Sequence, residues 1–492
     1  MKPVGYCYLA EKLKRKGYKF IWPRSETYSI EMGRSKVIKQ GGRVRRQLRI
    51  KSAPVTDLEH LRYGLSHEGV NVQLKILLFK ETSRAEIEAF ILSGLSSKYN
   101  RIIWFFYEEL TKETLNIADA QVGRYAPLLD EDKYFTGTSK RNKRYKIDDN
   151  RMGHSPLTPL IEKTQIPKPF DLKNKAKKLI DQYDLELVQK SVNFLYAKET
   201  KKSNEIEKEH PDKKREARLI GLLKKANEIE KIDESMICEL QNAIVDQRYA
   251  VTSYRDFQTY VGSTDLFGNE IVHYICPKGE DNKNLMKIFE ALCRDIMEDD
   301  LVHPVIAATI ISFLFVYIHP LEDGNGRIHR FLIHYVLSKK NATPKGVIFP
   351  VSVVIASNLG KYDNALESFS KDLVPLIDYT LDDKGEMTIL DKETSHLYYG
   401  IDLTEQSDFL FWALEETLVN DFKKELEYLK IFTYSVSEIR KVVDIPDRRL
   451  NNLINIVISN NGKLSKKKRQ THYSELRDDE VAKIEKIIGS QL

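Results

Sequence analysis

The twelve residues His319–Arg330, HPLEDGNGRIHR, decide how the rest of this chain is read. They bring a histidine, two acids, two glycines around an asparagine and two arginines three apart into one short stretch. A turn needs the glycines, but it does not need that set of charges. Directly before them stands Val305–Ile318, VIAATIISFLFVYI, an apolar run too short to span a bilayer and interrupted by Thr309 and Ser312. It predicts a buried core helix that runs straight into the motif. After Gly326, residues Ile328, Phe331, Leu332, Tyr335 and Val336 recur at helical spacing, so the text reads helix, charged loop, helix.

The second helix would open with Gly324, Asn325 and Gly326. Its first backbone N–H groups are free, and glycine lets a ligand approach them closely. Arg327 and Arg330 lie near one another on one helix face, so the junction suits several phosphates better than one carboxylate. Asp323 is an acid placed where phosphates would arrive, which is favourable only with a divalent cation between them. His319, four residues earlier, is positioned to take a proton from an incoming hydroxyl. Together these residue types describe phosphate-ester transfer from a nucleotide. No lysine follows the glycines, so the loop is not a Walker A sequence.

Composition sets the frame. The chain has 492 residues, too many for one core, and 41% hydrophobic with 30% charged residues excludes a disordered chain. A net charge of +6 is too small for a nucleic-acid coat, so distribution matters more than the sum. Cys7, Cys238, Cys276 and Cys293 have no paired spacing, which predicts a reducing, cytoplasmic setting without a cysteine zinc site. The first residues carry no apolar run of the signal-peptide kind, and no membrane association is expected.

Along the chain we expect a mainly α protein in four parts. Residues 1–120 read as a mixed α/β domain, with eight basic residues and no acid from Arg34 to Lys51 and a hairpin turn at Gly41-Gly42. Residues 121–170, rich in Pro, Gly, Lys and Asp, read as a linker or long surface loop. Residues 171–430 read as a helical core with a C-terminal helical extension. One turn-rich break, Thr259–Asp281, has the pattern of a β-hairpin. In residues 431–492, Ser435 with Glu438 forms a capping box, and Leu450, Leu453, Ile454, Val457 and Ile458 share one helix face. Asn461-Gly462 ends that helix. The basic KLSKKKRQTHY, Lys463–Tyr473, predicts a hairpin, giving a small winged-helix-like domain.

HPLEDGNGRIHR resembles the signature of the Fic family: a histidine, an aromatic position, an acid, Gly-Asn-Gly-Arg, and a second arginine three residues on. The helical text around it, roughly 190 to 370, is similar to the all-helical Fic core. The resemblance implies a protein adenylyltransferase that moves AMP from ATP to a hydroxyl of a target protein. It implies His319 as base, Asp323 as Mg²⁺ ligand, Gly324, Asn325 and Gly326 as phosphate cradle, and Arg327 and Arg330 at the β/γ end. Leu321 stands where the family usually has Phe. Val272, His273, Tyr274 and Ile275 resemble the family's flap, which holds a target segment as an added strand. Tyr362 is a candidate for the adenine pocket. In KKSNEIEKEH, Ser203 and Glu207 match an inhibitory helix whose glutamate would pair with Arg330, although Lys208 replaces the usual Gly or Asn. The same loop also suits other donors, such as UMP or phosphocholine transfer, and the removal of AMP. Candidate partners are a target with a Ser, Thr or Tyr hydroxyl, the chain itself through auto-modification, and further copies in a homo-oligomer. A different class is a nucleic-acid-binding regulator that contacts DNA through Lys466, Lys467, Lys468 and Arg469 and the basic run Arg34–Lys51.

Overall fold

The computed structural model describes residues 1–40, 43–164 and 171–492, so the expected turn at Gly41-Gly42 lies outside the described residues. The chain divides into two compact units. The first comprises residues 1–170, 207–342 and 357–412; the second comprises 171–206, 343–356 and 413–492. The protein is mainly α-helical with a few small sheets.

In the first unit, a four-stranded sheet is built from β1 (Lys2–Val4), β2 (Ser25–Ser29), β3 (Lys36–Gln40) and β4 (Arg43–Leu48), in the order β1-β2-β4-β3. The basic run expected as a hairpin is therefore β3 paired antiparallel with β4. Helix α1 (Tyr6–Arg15) buries Tyr6, Leu9, Ala10 and Leu13 with the helices Asp57–His67, Val72–Glu81 and Lys98–Thr111. Two of the neighbouring helices open on capping boxes, Thr56 with Glu59 and Ser83 with Glu86.

Residues 121–164 are the described part of the stretch expected as a linker or long surface loop. They carry three short strands, and Leu128, Tyr145, Ile147 and Ile161 are buried. The Pro- and Lys-rich composition hid these few apolar anchors, which are spaced too irregularly to show a period.

The core of the first unit holds α2 (Lys213–Lys225), α3 (Glu234–Ile244), β5 (Tyr260–Thr264), β6 (Glu270–Ile275), α4 (Gly279–Glu298), α5 (Pro304–Ile318), α6 (Asn325–Lys339) and α7 (Leu359–Leu373). Helix α5 has Pro304 in its first turn and is apolar on every side, so it is buried all round. It packs most extensively on α6, the other half of the helix–loop–helix expected from the sequence. Strands β5 and β6 form the expected hairpin, with a register shift at Val261/Gly262.

In the second unit, Leu450, Leu453, Ile454 and Val457 are buried on one face of the helix Asp447–Ser459, and Asn461 and Gly462 follow with positive φ, as a helix stop requires. Two expectations are corrected. Helix Lys423–Ile439 runs through Ser435, because nothing in KKELEYLKIFTYSVSEI interrupts it, so Ser435 is buried mid-helix rather than a cap. The basic stretch is a helix, Lys466–His472, capped by Ser465 accepting from Lys468 N–H, and no strand occurs among the described residues 434–492. Lys, Arg and Gln are good helix formers, and the N-cap decides between helix and hairpin. A winged-helix β-wing is therefore absent there.

Glu68 shows what the first unit tolerates. It is buried, accepts from Tyr6 N–H at 2.7 Å and from the Thr27 hydroxyl, and burial raises its pKa from 4.5 to about 7. The folded state thus holds the proton more tightly than the unfolded chain. Stability from this group is fully present below the unfolded pKa and is lost as pH rises towards 7. Glu68→Gln keeps an acceptor for Tyr6 and is expected to be more stable than the parent at pH 8 by about 3 kcal/mol, with the gap closing at pH 4. Calorimetry at both pH values checks this; a gap of equal size at both would contradict it.

Candidate active site

The site grows from two helix ends. Helix α5 terminates on His319, whose φ of 51° and ψ of 57° are left-handed and whose N–H bonds the Phe315 carbonyl. A non-glycine residue there is strained by roughly 1–2 kcal/mol, so its surroundings must hold it. Nδ1 of His319 lies 3.2 Å from the Val316 carbonyl. A carbonyl only accepts, so Nδ1 carries the proton of the neutral ring and Nε2 keeps its lone pair. Desolvation pulls the imidazole pKa down to about 4, with the Arg255 charge acting in the same sense. His319 is therefore a neutral acceptor across the physiological range.

Helix α6 begins at Gly324, where φ is 90°, a conformation that favours glycine. Asn325 is buried and turned inward. Its Oδ1 accepts from Leu321 N–H at 3.1 Å, and its Nδ2 donates to the Leu321 carbonyl at 2.8 Å. Its side chain clasps the loop backbone rather than reaching outward, and Leu321 itself is fully buried. Gly326 is a close-approach glycine: a Cβ there would come 2.2 Å from a carboxylate oxygen of Glu207.

The two arginines do different things. Arg327 is buried and donates Nη2 to both oxygens of Asp323, at 2.9 and 3.1 Å. Its Nε and Nη1 are buried without a hydrogen-bond partner among the described residues. The Asp323 side chain is 42% exposed, so its outer face is open. Arg330 is buried, its side chain only 1% exposed, and it donates Nη2 to Glu207 Oε1 at 2.8 Å. Tyr362 on α7 is buried against His329 and Phe409, with its hydroxyl within hydrogen-bonding reach of Arg330 and burial pushing its pKa up to about 12.

His319, Asp323, Gly324, Asn325, Gly326, Arg327, Arg330, Glu207 and Tyr362 all belong to the first unit. Ser203, buried within the helix Leu185–Ile206, belongs to the second. Glu207 directly follows that helix, and Lys208 takes φ of 57°. This is the left-handed position that Gly or Asn would occupy without strain.

The candidate flap residues lie on β6. Tyr274 is buried and its hydroxyl donates to the Tyr317 carbonyl, tying the strand to the end of α5; Ile275 is fully buried. Val272 pairs with Gly262 across the register shift, and exposed His273 bonds Ser263 at 2.8 Å. Val261, Leu266, Phe267 and Ile271 of the hairpin are exposed apolar residues, as is Phe257 just before it.

Sequence reading missed the residues that hold this loop from behind. Arg255 donates to the carbonyls of His319, Phe257, Pro277 and Ile318 at 2.7, 2.7, 2.8 and 3.3 Å. Asn282 donates to the carbonyls of Arg255 and Pro320, and Gln241 reaches the Tyr249 and Asp323 carbonyls. Each of the three has at least one backbone partner far away in sequence. No spacing rule announces such contacts.

With this geometry in place, comparison with known proteins is specific. A Fic/DOC family model matches residues 231–337, which run from before α3 to the last turns of α6 and include the whole loop. These residues form a Fic/DOC family domain. The protein adenylyltransferase Fic of Nematostella vectensis is 32% identical over 84 residues, 17% of this chain and 18% of that protein. The chain thus spans under a fifth of the length of that relative. Among solved structures, a Fic-domain-containing signalling protein of Bacteroides thetaiotaomicron has a TM-score of 0.37 at 19% identity, over 52% of this chain and 95% of its own. A Fic family protein of Desulfovibrio desulfuricans gives 0.36 at 18%, over 63% and 84%. No helix among the described residues is long and apolar enough to cross a membrane.

The Asn325 clasp makes a stability prediction. Asn325→Ala leaves the Leu321 N–H and carbonyl without those partners in a buried loop and is expected to destabilise the protein by about 1–3 kcal/mol. Thermal melting checks it; an unchanged midpoint would show that the clasp contributes nothing.

Proposed function

We propose that this protein is a protein adenylyltransferase of the Fic type, held in check by its own Glu207. In the transfer, the oxygen of a Ser, Thr or Tyr hydroxyl bonds to the α-phosphorus of ATP. The bond from that phosphorus to the oxygen bridging to the β-phosphate breaks, pyrophosphate leaves, and the hydroxyl proton passes to Nε2 of His319. The neutral tautomer fixed by Val316 suits that role.

The start of α6 supports phosphate binding. Arg327 offers two buried donors that lack partners among the described residues, and such donors are unfavourable until an acceptor arrives. Asp323 fits the protein's share of a Mg²⁺ site: Mg²⁺ on a nucleotide commonly takes one carboxylate, with phosphates and waters completing the shell. The ion would spread the negative charge of the phosphates. The half of the hairpin containing Val272–Ile275 would present a target segment, with Tyr274 anchoring it to α5 beside His319.

One observation carries the reading furthest. The desolvated guanidinium of Arg330, the group best placed to meet the far end of a triphosphate, is already paired with a carboxylate. In this reading Glu207 competes with the γ-phosphate and slows transfer until it is displaced. Lys208 weakens that brake, because its left-handed backbone is strained by roughly 1 kcal/mol.

A second reading has one observation in its favour. Lys466, Lys467 and Lys468 are exposed and have no ion partner among the described residues, whereas Arg469 is tied to Asp478. That leaves three cations available to a nucleic-acid backbone.

The test uses ATP labelled at the α-phosphate, Mg²⁺ and cell lysate as target. Glu207→Gly is expected to raise label transfer about tenfold or more over the parent, and His319→Ala in that background to lower it by at least about 100-fold. Lys208→Gly is expected to reduce transfer below the parent by about fivefold, since it relieves strain in the braked state. Label retained from the γ- but not the α-phosphate, or no retention in Glu207→Gly, would overturn the reading.

A further inference from the structure

We propose that Arg255 is a positioning residue for the transfer reaction: by clamping the carbonyls of Ile318 and His319 to those of Phe257 and Pro277, it aims His319 and makes the base of the hairpin and the catalytic loop one rigid piece. The inference rests on His319 acting as the base in the proposed transfer.

The geometry argues for more than a staple. Arg255 is 5% exposed, and among the described residues no carboxylate pairs with its guanidinium. A buried cation compensated only by carbonyls is an expensive arrangement, and burial holds its own pKa below the ordinary arginine value. What the guanidinium supplies in return is a planar fork able to reach several acceptors at once, which lysine cannot do. Two acceptors, Ile318 and His319, are the last residue of α5 and the strained residue after it. The other two flank the hairpin, Phe257 before β5 and Pro277 after β6. The Arg255 N–H adds a bond to Pro320 at 2.9 Å, and Asn282 locks the Arg255 carbonyl from α4.

A strained left-handed histidine relaxes unless its carbonyl is held, and Nε2 would swing with it. Misplacement of a reacting group by about 1 Å costs about 100-fold in rate. The clamp also places a fixed positive charge behind the imidazole. The charged groups acting on that ring are Arg255, which disfavours its protonation, and Glu207 and Asp323, which favour it; the Val316 carbonyl also favours it by hydrogen bonding. Removing Arg255 alone therefore moves His319 towards protonation.

The experiment compares the full chain with Arg255→Gln, Arg255→Lys and Arg255→Ala, each also in the Glu207→Gly background. Transfer is followed at varied ATP, and the His319 imidazole is titrated by NMR of histidine-labelled protein, assigned with His319→Ala. Positioning predicts kcat lower by about 100-fold in Arg255→Gln, with KM for ATP changed less than about twofold. It also predicts an upward shift of about one pH unit in the His319 titration and partial rescue of Arg255→Ala by free guanidinium. A lower melting temperature with unchanged kcat and unchanged His319 titration would overturn the proposal and leave a fold staple. If the Glu207→Gly chain with Arg255 intact transfers nothing from ATP, the adenylyl reading fails, while the NMR titration still decides whether Arg255 controls His319.

Discussion

Arg330 is a guanidinium taken almost wholly out of water, an expensive placement that pairing with an anion offsets. In this structure the anion is Glu207, at 2.8 Å, carried directly after the helix Leu185–Ile206 and admitted by a glycine at 326. Much of the site can be understood from that requirement. A nucleotide whose terminal phosphate sought the same guanidinium would have to displace the carboxylate. The proposed control of activity needs no second domain movement, only the competition of two anions for one cation.

The loop around this pair is stiff because its own side chains are used internally. Asn325 holds Leu321 by both backbone groups, Asp323 and Arg327 hold each other, and Arg255 holds the turn at His319 from behind. Catalysis by positioning needs this kind of preorganisation, since a loop that must order itself during the reaction loses rate. The division of labour between the arginines follows from helical geometry. Residues three apart share a face but not a depth, so Arg327 meets the acid of its own loop while Arg330 meets one from elsewhere in the chain.

Much of this was legible in the sequence, for identifiable reasons. A fully apolar helix, a Gly-Asn-Gly junction and a second amphipathic helix carry period and turn chemistry, and they appear as α5, the loop and α6. The inhibitory pattern of Ser203 and Glu207, with Glu207 paired to Arg330, came from a resemblance; the structure brings Glu207 and Arg330 together, and Ser203 is buried within the helix Leu185–Ile206. Composition misled where local capping ruled: Ser465 starts a helix in a stretch whose lysines resembled a basic hairpin, and Ser435 caps nothing because the helix around it has no breaker. Residues 121–164 looked like a linker because their buried anchors have no period. Arg255 was invisible for a deeper reason: its partners are backbone carbonyls up to 64 positions away, and a carbonyl has no letter in the sequence.

The most direct measurement is nucleotide binding by titration calorimetry with Mg²⁺, comparing the parent with Glu207→Ala for ATP and for AMP. If Glu207 and a terminal phosphate compete for Arg330, Glu207→Ala tightens ATP by roughly tenfold and leaves AMP, which lacks that phosphate, unchanged. Equal affinities of parent and variant for ATP, or an equal gain for both nucleotides, would contradict the competition on which the account rests.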